Sequence, residues 1–111
     1  MFEAGALVLL PFPFTDATAT KRRPVLVLTT PDEYGDFIGM AVSSRSHHVN
    51  AVPLQNDALL EGHLPKPSWI RVDRVVTLNA GLVTKAFAKT RMEVLRQAVG
   101  GLCGMLQKQI V

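Results

Sequence analysis

The sequence has little of three features that would assign it to a special class of protein. Cys103 is its single cysteine, which excludes an internal disulfide and favours a reducing cytoplasm. No apolar run approaches the roughly 20 residues that a membrane-spanning helix needs. Residues 1–3 lack a basic segment and the apolar run 6–10 stops at Pro11, so we expect no signal peptide.

The remaining composition is typical of one globular domain over residues 1–111. Hydrophobic residues make up 48% of the chain, which is enough for one core at this length. The formal net charge is +3, and the bases are clustered whereas the acids are mostly scattered. Clustered positive charge is compatible with a polyanionic partner. The basic clusters lie at residues 21–23, at Arg71 and Arg74, and between residues 85 and 96.

Short apolar segments bounded by proline, glycine and polar turns predict a series of β-strands. These strands are expected over residues 6–10, 25–30, 37–42, 49–54, 68–78 and 82–89. Residues 56–62 are predicted to form a helical turn that Gly62 closes. Five or six short strands before one terminal helix indicate a mainly β protein, built as a small, strongly bent sheet or barrel closed by the helix.

The C-terminal segment predicts an α-helix. Thr90 and Glu93 have the spacing of a capping box. The apolar residues that follow keep helical spacing and predict the buried face: Met92, Leu95, Val99, Leu102 and Leu106. Cys103 lies on the apolar side of this helix and is predicted to belong to the core rather than to act as a nucleophile.

The basic cluster Lys21-Arg22-Arg23-Pro24 directly precedes the apolar run 25–28. Pro24 fixes its own φ angle and favours an extended backbone at Arg23. A guanidinium held at the entrance of a strand presents a planar set of donors that suits a phosphate. We therefore predict that Arg23 binds a phosphate group.

Other polar and aromatic residues allow two interpretations each. Phe12 and Phe14 pack in the core beside a stiff Pro-Phe-Pro-Phe turn, or they form an aromatic surface on which a base stacks. Residues 43–48 form a loop rich in hydroxyls and donors, in which His47 and His48 are either a solvated pair or proton-transfer groups. The three histidines match no metal-binding spacing, and no metal or cofactor is predicted.

Three segments together resemble the MazF/PemK-like family of toxins. They are the Gly-Ala-Leu-Val-Leu-Leu-Pro-Phe-Pro-Phe-Thr-Asp run at 5–16, the Lys-Arg-Arg-Pro-Val-Leu-Val-Leu run at 21–28, and residues 70–78. The resemblance implies a compact SH3-like barrel with a C-terminal helix, a homodimer, and a cytoplasmic toxin of a type II toxin–antitoxin pair. It implies metal-independent, sequence-selective cleavage of single-stranded RNA. It also implies an acidic antitoxin as partner, through which alone the toxin would reach operator DNA.

The resemblance also implies which residues act on RNA. The family's arginine ahead of the proline falls on Arg23, its threonine at the end of the following strand falls on Ser43, and its Arg-x-Asp pair falls on Arg71 and Asp73. Further RNA contacts are expected from Lys21, Arg22, Ser44, Arg45, His47, His48, Arg74, Phe14 and Thr15. Ala6 stands where the family usually has aspartate, and the loop before Arg23 is short.

Cleavage without a metal needs a positioned 2′-OH, a base, stabilisation of the phosphorane and a proton for the 5′-oxygen. Arg23 is expected to clamp the phosphate and Ser43 to donate a hydrogen bond to it. Asp73 is the candidate base, and Arg71 is expected to act electrostatically because its guanidinium is a poor proton donor. The alternative for Arg71 and Asp73 is a surface ion pair without a catalytic role.

Two other functions compete with RNA cleavage. A protein of the same fold could have lost catalysis and bind RNA or an antitoxin only, as Ala6, Ser43 and the short loop suggest. A toxin directed at gyrase is the other alternative, because a related fold poisons that enzyme. The motifs of this sequence follow the ribonuclease branch.

Overall fold

The computed structural model describes residues 2–11, 22–46 and 50–110. Within these ranges the strands are β1 (Ala6–Pro11), β2 (Arg22–Val27), β3 (Asp36–Ser43), β4 (Ala51–Leu54), β5 (Leu59–Gly62), β6 (Ser68–Asn79) and β7 (Lys85–Thr90). Two short 3₁₀ turns span Asn56–Ala58 and Ala80–Leu82, and the helix α1 spans Met92–Ile110. No helix in these ranges has the length and apolarity needed to cross a membrane.

The seven strands form one antiparallel sheet in the order β4-β6-β3-β2-β1-β7-β5. Alternating side chains supply two core clusters on opposite faces, because successive residues of a strand point to opposite sides. Leu7, Leu26 and Met40 are neighbours across β1, β2 and β3 in the first cluster. Val8 and Val25 are neighbours in the second. The mainly β half-barrel with a terminal helix confirms the predicted fold class.

Strand β2 begins earlier than predicted, at Arg22, and contains Arg23 and Pro24. Pro24 pairs with Leu9 of β1, whereas the pairing of β2 with β3 begins only at Val25. The missing N–H of Pro24 therefore lies where the ladder to β3 has already ended, which is a place where a strand tolerates proline. Arg23 is thus part of a paired strand rather than a residue at its entrance.

The predicted capping box is wrong. Thr90 is the last residue of β7, and its backbone N–H and its hydroxyl both donate to the carbonyl of Gly5, at 2.9 and 3.0 Å. The helix begins at Met92, and the carbonyl of Arg91 accepts from the N–H of Val94 at 3.0 Å. The Thr90 hydroxyl binds a buried carbonyl next to β1 instead of capping the helix. The tertiary contact therefore overrides the helix-capping pattern of the sequence.

The buried face of α1 also differs from the predicted stripe. Val94 and Ala98 are its buried residues and Leu95 and Leu102 are partly buried, whereas Met92, Val99, Leu106 and Cys103 are exposed. The buried face of α1 is thus rotated relative to the predicted stripe, and the small residues on the helix explain this rotation. A Cβ at Gly101 would lie 3.4 Å from the nearest methyl carbon of Val72 on β6, so the helix approaches β6 closely on the side of Ala98 and Gly101.

Residues 56–62 do not form the predicted helical turn. Only Asn56–Ala58 is helical, and the chain then enters β5, which pairs with β7 through Leu59 and Thr90. Gly62 ends this strand at a φ of +84°. The apolar pair Leu59-Leu60 is split between the core and the surface, as expected for a strand at the edge of a sheet.

Candidate functional site

An open cavity of about 860 Å³ lies at the end of the sheet where β2 begins and β3 ends. Its size falls in the roughly 300–1,000 Å³ range of typical ligand sites. We call it the basic cavity. The residues that line it are Leu9, Arg22, Arg23, Pro24, Val42, Ser43, Ser44, Arg45, Gly62, His63, Leu64, Pro65, Lys66, Ser68, Lys85 and Phe87.

The basic cavity is strongly positive. Four segments contribute cations, namely β2, the residues after β3, the β5–β6 connection and the start of β7: Arg22, Arg23, Arg45, Lys66 and Lys85. No carboxylate is found among the described side chains that line it. Converging cations on low-dielectric walls raise the local concentration of anions, so the charge of this cavity favours anionic ligands.

Arg23 and Ser43 are brought together in this cavity. Both residues line it, and each lies two positions beyond the last recorded β2–β3 pair, Val25 with Ala41. The Oγ of Ser43 accepts a hydrogen bond from the backbone N–H of Arg45 at 3.1 Å. This bond fixes the hydroxyl oxygen at the wall and turns the chain after β3, so that Ser44 and Arg45 also line the cavity.

The structure places Arg71 and Asp73 outside the basic cavity. They form a two-pronged ion pair on β6, in which Nε of Arg71 donates to Oδ1 of Asp73 at 3.2 Å and Nη2 donates to Oδ2 at 2.8 Å. Arg74, which is exposed, also does not line the cavity. Within one copy of the chain, Asp73 therefore does not line the cavity that Arg23 and Ser43 share.

A break in the β3–β6 register separates the ion pair from the cavity. Met40 pairs with Val75 and Val42 pairs with Ile70, so the four residues 71–74 lie opposite Ala41 alone. The extra residues bend β6 away from β3, as residues inserted into one strand do. Val72, in the middle of the bend, is buried and donates its N–H to the carbonyl of Asn50 at 3.1 Å, which holds the bend in place.

Several predicted RNA contacts lie outside the described residues. They are Lys21, Phe14, Thr15, His47 and His48. Of the predicted contacts within the described ranges, Arg22, Ser44 and Arg45 line the basic cavity together with Arg23 and Ser43.

Three titratable residues of the cavity wall were not predicted as site residues: His63, Lys66 and Lys85. They come from the β5–β6 connection and from the start of β7, which are distant in sequence from Arg23. Their position depends on the pairing of β5 with β7 and of β7 with β1. No local motif marks that topology, because β5 had the pattern of a helical turn. Among the described residues, no three histidine, cysteine, aspartate or glutamate side chains converge as a metal site would require.

A second groove, of about 560 Å³, contains an exposed ion pair between Lys89 and Glu3. The hydrogen bond from Lys89 and its positive charge lower the pKa of Glu3, and Glu3 raises the pKa of Lys89 in the same way. The contribution of Glu3 to stability is complete above its ordinary pKa of 4.5 and disappears as the pH falls through the lowered value. The contribution of Lys89 to stability is complete below its ordinary pKa of 10.5. It is lost as the pH rises through the raised pKa.

We therefore predict that this pair adds no pH dependence near neutrality. The difference in unfolding free energy between wild type and Glu3→Gln should be small, because the pair is exposed, and constant between about pH 6 and pH 8. This difference should shrink in acid, where Glu3 becomes protonated. Urea unfolding of both proteins at several pH values measures it. A change in the difference between about pH 6 and pH 8 would contradict the assignment.

Comparisons of this chain with a family model and with solved structures agree on one family of toxins. A family model described as PemK-like, MazF-like toxin of type II toxin–antitoxin systems matches residues 3–106. The crystal structure of MazF from Deinococcus radiodurans is similar, with 25% identity, a TM-score of 0.71, and coverage of 95% of this chain and 96% of that chain. The MazE–MazF complex from the same organism matches at 25% identity and a TM-score of 0.74, with 95% of each chain covered. No curated protein sequence matches.

An endoribonuclease from a mycobacterial species has the same fold. It is 11% identical to this chain, with a TM-score of 0.70, and the match covers 95% of this chain and 90% of that one.

Proposed function

The chain belongs to the PemK-like, MazF-like toxins of type II toxin–antitoxin systems, and from this premise we propose that it is an endoribonuclease that cleaves single-stranded RNA in the cytoplasm. The observation that supports this function best is the basic cavity. It combines Arg23 and Ser43 with four further cations and contains no described carboxylate on its walls. An RNA backbone carries one negative charge per nucleotide, and such a cavity neutralises it where the chemistry would occur.

In the proposed reaction the RNA supplies its own nucleophile. The 2′-OH attacks the adjacent phosphorus, the bond from phosphorus to the 5′-oxygen breaks, and the products end in a 2′,3′-cyclic phosphate and a 5′-OH. The guanidinium of Arg23 binds the non-bridging oxygens and stabilises the charge that develops on them. The hydroxyl of Ser43 donates a hydrogen bond to one of these oxygens. No metal or cofactor takes part in this scheme.

Arg71 and Asp73 have a secondary part in this proposal. Because both oxygens of Asp73 accept hydrogen bonds from Arg71, the pair presents a mixed charge on β6 rather than an isolated base. Its predicted catalytic role requires an RNA strand that continues from the cavity to β6. Arg74, exposed on the same bend, would then contact the RNA backbone downstream.

The partners that we propose are an acidic antitoxin and a second copy of the chain. An acidic segment complements the positive walls of the basic cavity and would exclude RNA from it. The exposed apolar side chains of α1, among them Met92, Val99 and Leu106, are a suitable surface for a homodimer. Operator DNA would be reached only through the antitoxin.

The proposed function is tested by incubating the purified protein in EDTA with a pool of single-stranded RNA and mapping the cut sites. We expect discrete, sequence-selective cuts, 2′,3′-cyclic phosphate ends, and no cutting of a fully paired duplex. RNA binding without cleavage at high protein concentration would identify a catalytically inactive module. Intact RNA together with altered DNA supercoiling would identify a gyrase-directed toxin.

RNA affinity should depend strongly on salt because of the cavity cations. The logarithm of the association constant falls with the logarithm of salt concentration by about 0.7 for each neutralised phosphate on a single strand. Five cations therefore predict a slope of up to about −3.5. Lys85→Gln should make the slope shallower by about 0.7, whereas Lys108→Gln, at the exposed end of α1, should leave it unchanged. Fluorescence anisotropy with an RNA carrying a 2′-deoxy cleavage site measures the slope, and equal slopes for both variants would contradict the assignment.

A further inference from the structure

We propose that His63 is the residue that transfers the proton during RNA cleavage. This inference rests on the proposed function and deepens it, because it assigns the base of the reaction. His63 lines the basic cavity, as Arg23 and Ser43 do. It is the only described side chain on the cavity wall whose type ordinarily gains and loses a proton near neutral pH, which is what a general base of this reaction requires.

The backbone around His63 is held from both sides. Gly62 has a φ of +84°, and a Cβ at this position would overlap the carbonyl oxygen of Phe87 and the Cα of Ala88. On the other side, the side chain of Asn56 binds both backbone groups of Leu64. Its Oδ1 accepts from the N–H of Leu64 at 2.7 Å and its Nδ2 donates to the carbonyl at 3.2 Å. Leu64 itself is buried in the core.

This anchoring distinguishes His63 from an ordinary surface histidine. A catalytic group must be held in place by its supporting contacts, because small displacements of a reacting group are costly in rate. Three features fix the segment: the close approach of Gly62 to β7, the side-chain clamp of Asn56, and the burial of Leu64. Together they make the exposed His63 a side chain on a rigid support at the rim of the basic cavity.

The charges that face His63 come from every side of the cavity. Arg22 and Arg23 project from β2, Arg45 from the end of β3, Lys85 from β7, and Lys66 from the same connection as His63. His63 also lines a smaller neighbouring pocket of about 400 Å³, to which Lys66 and the carboxylate of Asp57 contribute. The cations are suited to hold the phosphate, and none of the described side chains that line the basic cavity is a carboxylate. Asp73 differs, because it lies outside the cavity with both carboxylate oxygens bonded to Arg71.

The proposed cleavage step neither gains nor loses a proton. The neutral imidazole of His63 takes the proton of the 2′-OH while the bond between the 2′-oxygen and phosphorus forms. The imidazolium then gives that proton to the 5′-oxygen as the bond between phosphorus and the 5′-oxygen breaks. The enzyme returns to its starting state, and the products are a 2′,3′-cyclic phosphate and a 5′-OH.

The test compares wild type, His63→Gln and Asp73→Asn in single-turnover cleavage of an RNA that contains a mapped cut site. The series runs from about pH 5 to pH 9, across the ordinary titration of histidine. We expect His63→Gln to slow cleavage about 10²-fold, to flatten the pH profile near neutrality, and to bind the 2′-deoxy RNA within a few-fold of wild type. Thermal unfolding of each protein verifies the fold.

A second substrate separates proton transfer from a structural role. Sulfur in place of the 5′-oxygen leaves as a thiolate and needs no proton, so the deficit of His63→Gln should shrink about tenfold with this RNA. An equal deficit on both RNAs with an unchanged pH profile would overturn the assignment. Wild-type rates in His63→Gln, or loss of the neutral pH dependence only in Asp73→Asn, would overturn it too. Failure of the wild type to cut any RNA would instead overturn the proposed function, and this inference with it.

Discussion

Replacing Arg23 with alanine is expected to lower the rate of RNA cleavage about 10²- to 10³-fold, the usual loss when one charged or polar group that stabilises a transition state is removed. The side chain is exposed and lines the basic cavity, so the free energy of unfolding should change by no more than about 0.5 kcal/mol. Single-turnover cleavage and thermal unfolding measure the two effects.

Two further variants make the Arg23 result specific. Arg23→Lys keeps the positive charge and loses the planar pair of donors, and it should recover only part of the rate. Arg96→Ala removes an exposed arginine of α1 outside the basic cavity and serves as the matched control, with wild-type cleavage expected. Cleavage by Arg23→Ala at the rate of Arg96→Ala would show that Arg23 does not bind the reacting phosphate.

Gly62→Ala is expected to have the largest effect on stability. A side chain there pays about 1–2 kcal/mol for a left-handed backbone, and its Cβ would overlap backbone atoms of Phe87 and Ala88. Close overlap in a packed region costs about 1–3 kcal/mol more. The free energy of unfolding should therefore fall by about 2–5 kcal/mol, which lowers Tm by roughly 5 °C for each kcal/mol.

Leu60→Ala is the control for Gly62→Ala. Leu60 belongs to the same edge strand and its side chain is exposed, so its truncation should leave Tm nearly unchanged. Calorimetry or urea unfolding gives both values. Because Gly62 precedes His63, the fraction of Gly62→Ala that stays folded should also cleave RNA more slowly. An unchanged Tm for Gly62→Ala would contradict the close contact between β5 and β7.

The parts of the cavity that the sequence predicts are those that local signals determine. Arg23 adjoins a proline and an apolar strand, and Ser43 follows the next strand along the chain. Since β2 and β3 are consecutive antiparallel strands, the start of one meets the end of the other. Strand alternation and the terminal helix gave the fold class for the same reason, because both are periodic features of contiguous residues.

The remaining features depend on contacts between residues that are distant in sequence. Thr90 has the pattern of a helix cap, yet its hydroxyl bonds to the carbonyl of Gly5. The rotation of α1 depends on how closely Gly101 approaches Val72 of β6. His63 reaches the cavity only because β5 joins the edge of β7. None of these pairings leaves a periodic or compositional signal in the chain.

The position of the Arg71–Asp73 pair could not be predicted from the sequence either. Simple alternation along residues 70–74 indicates a half-buried strand, and β6 does span this segment. Alternation alone does not reveal that four residues lie opposite Ala41. That register break determines that the pair lies outside the basic cavity of its own chain.

The most direct test of the central claim is where RNA binds. We suggest recording backbone amide spectra of the labelled protein with and without a single-stranded RNA whose cut site carries a 2′-deoxy sugar. If RNA occupies the basic cavity, the largest shifts should fall on Arg23, Ser43, Arg45, His63 and Lys66. Shifts confined to the groove around Glu3 and Lys89, or to α1, with these five amides unchanged, would contradict the account.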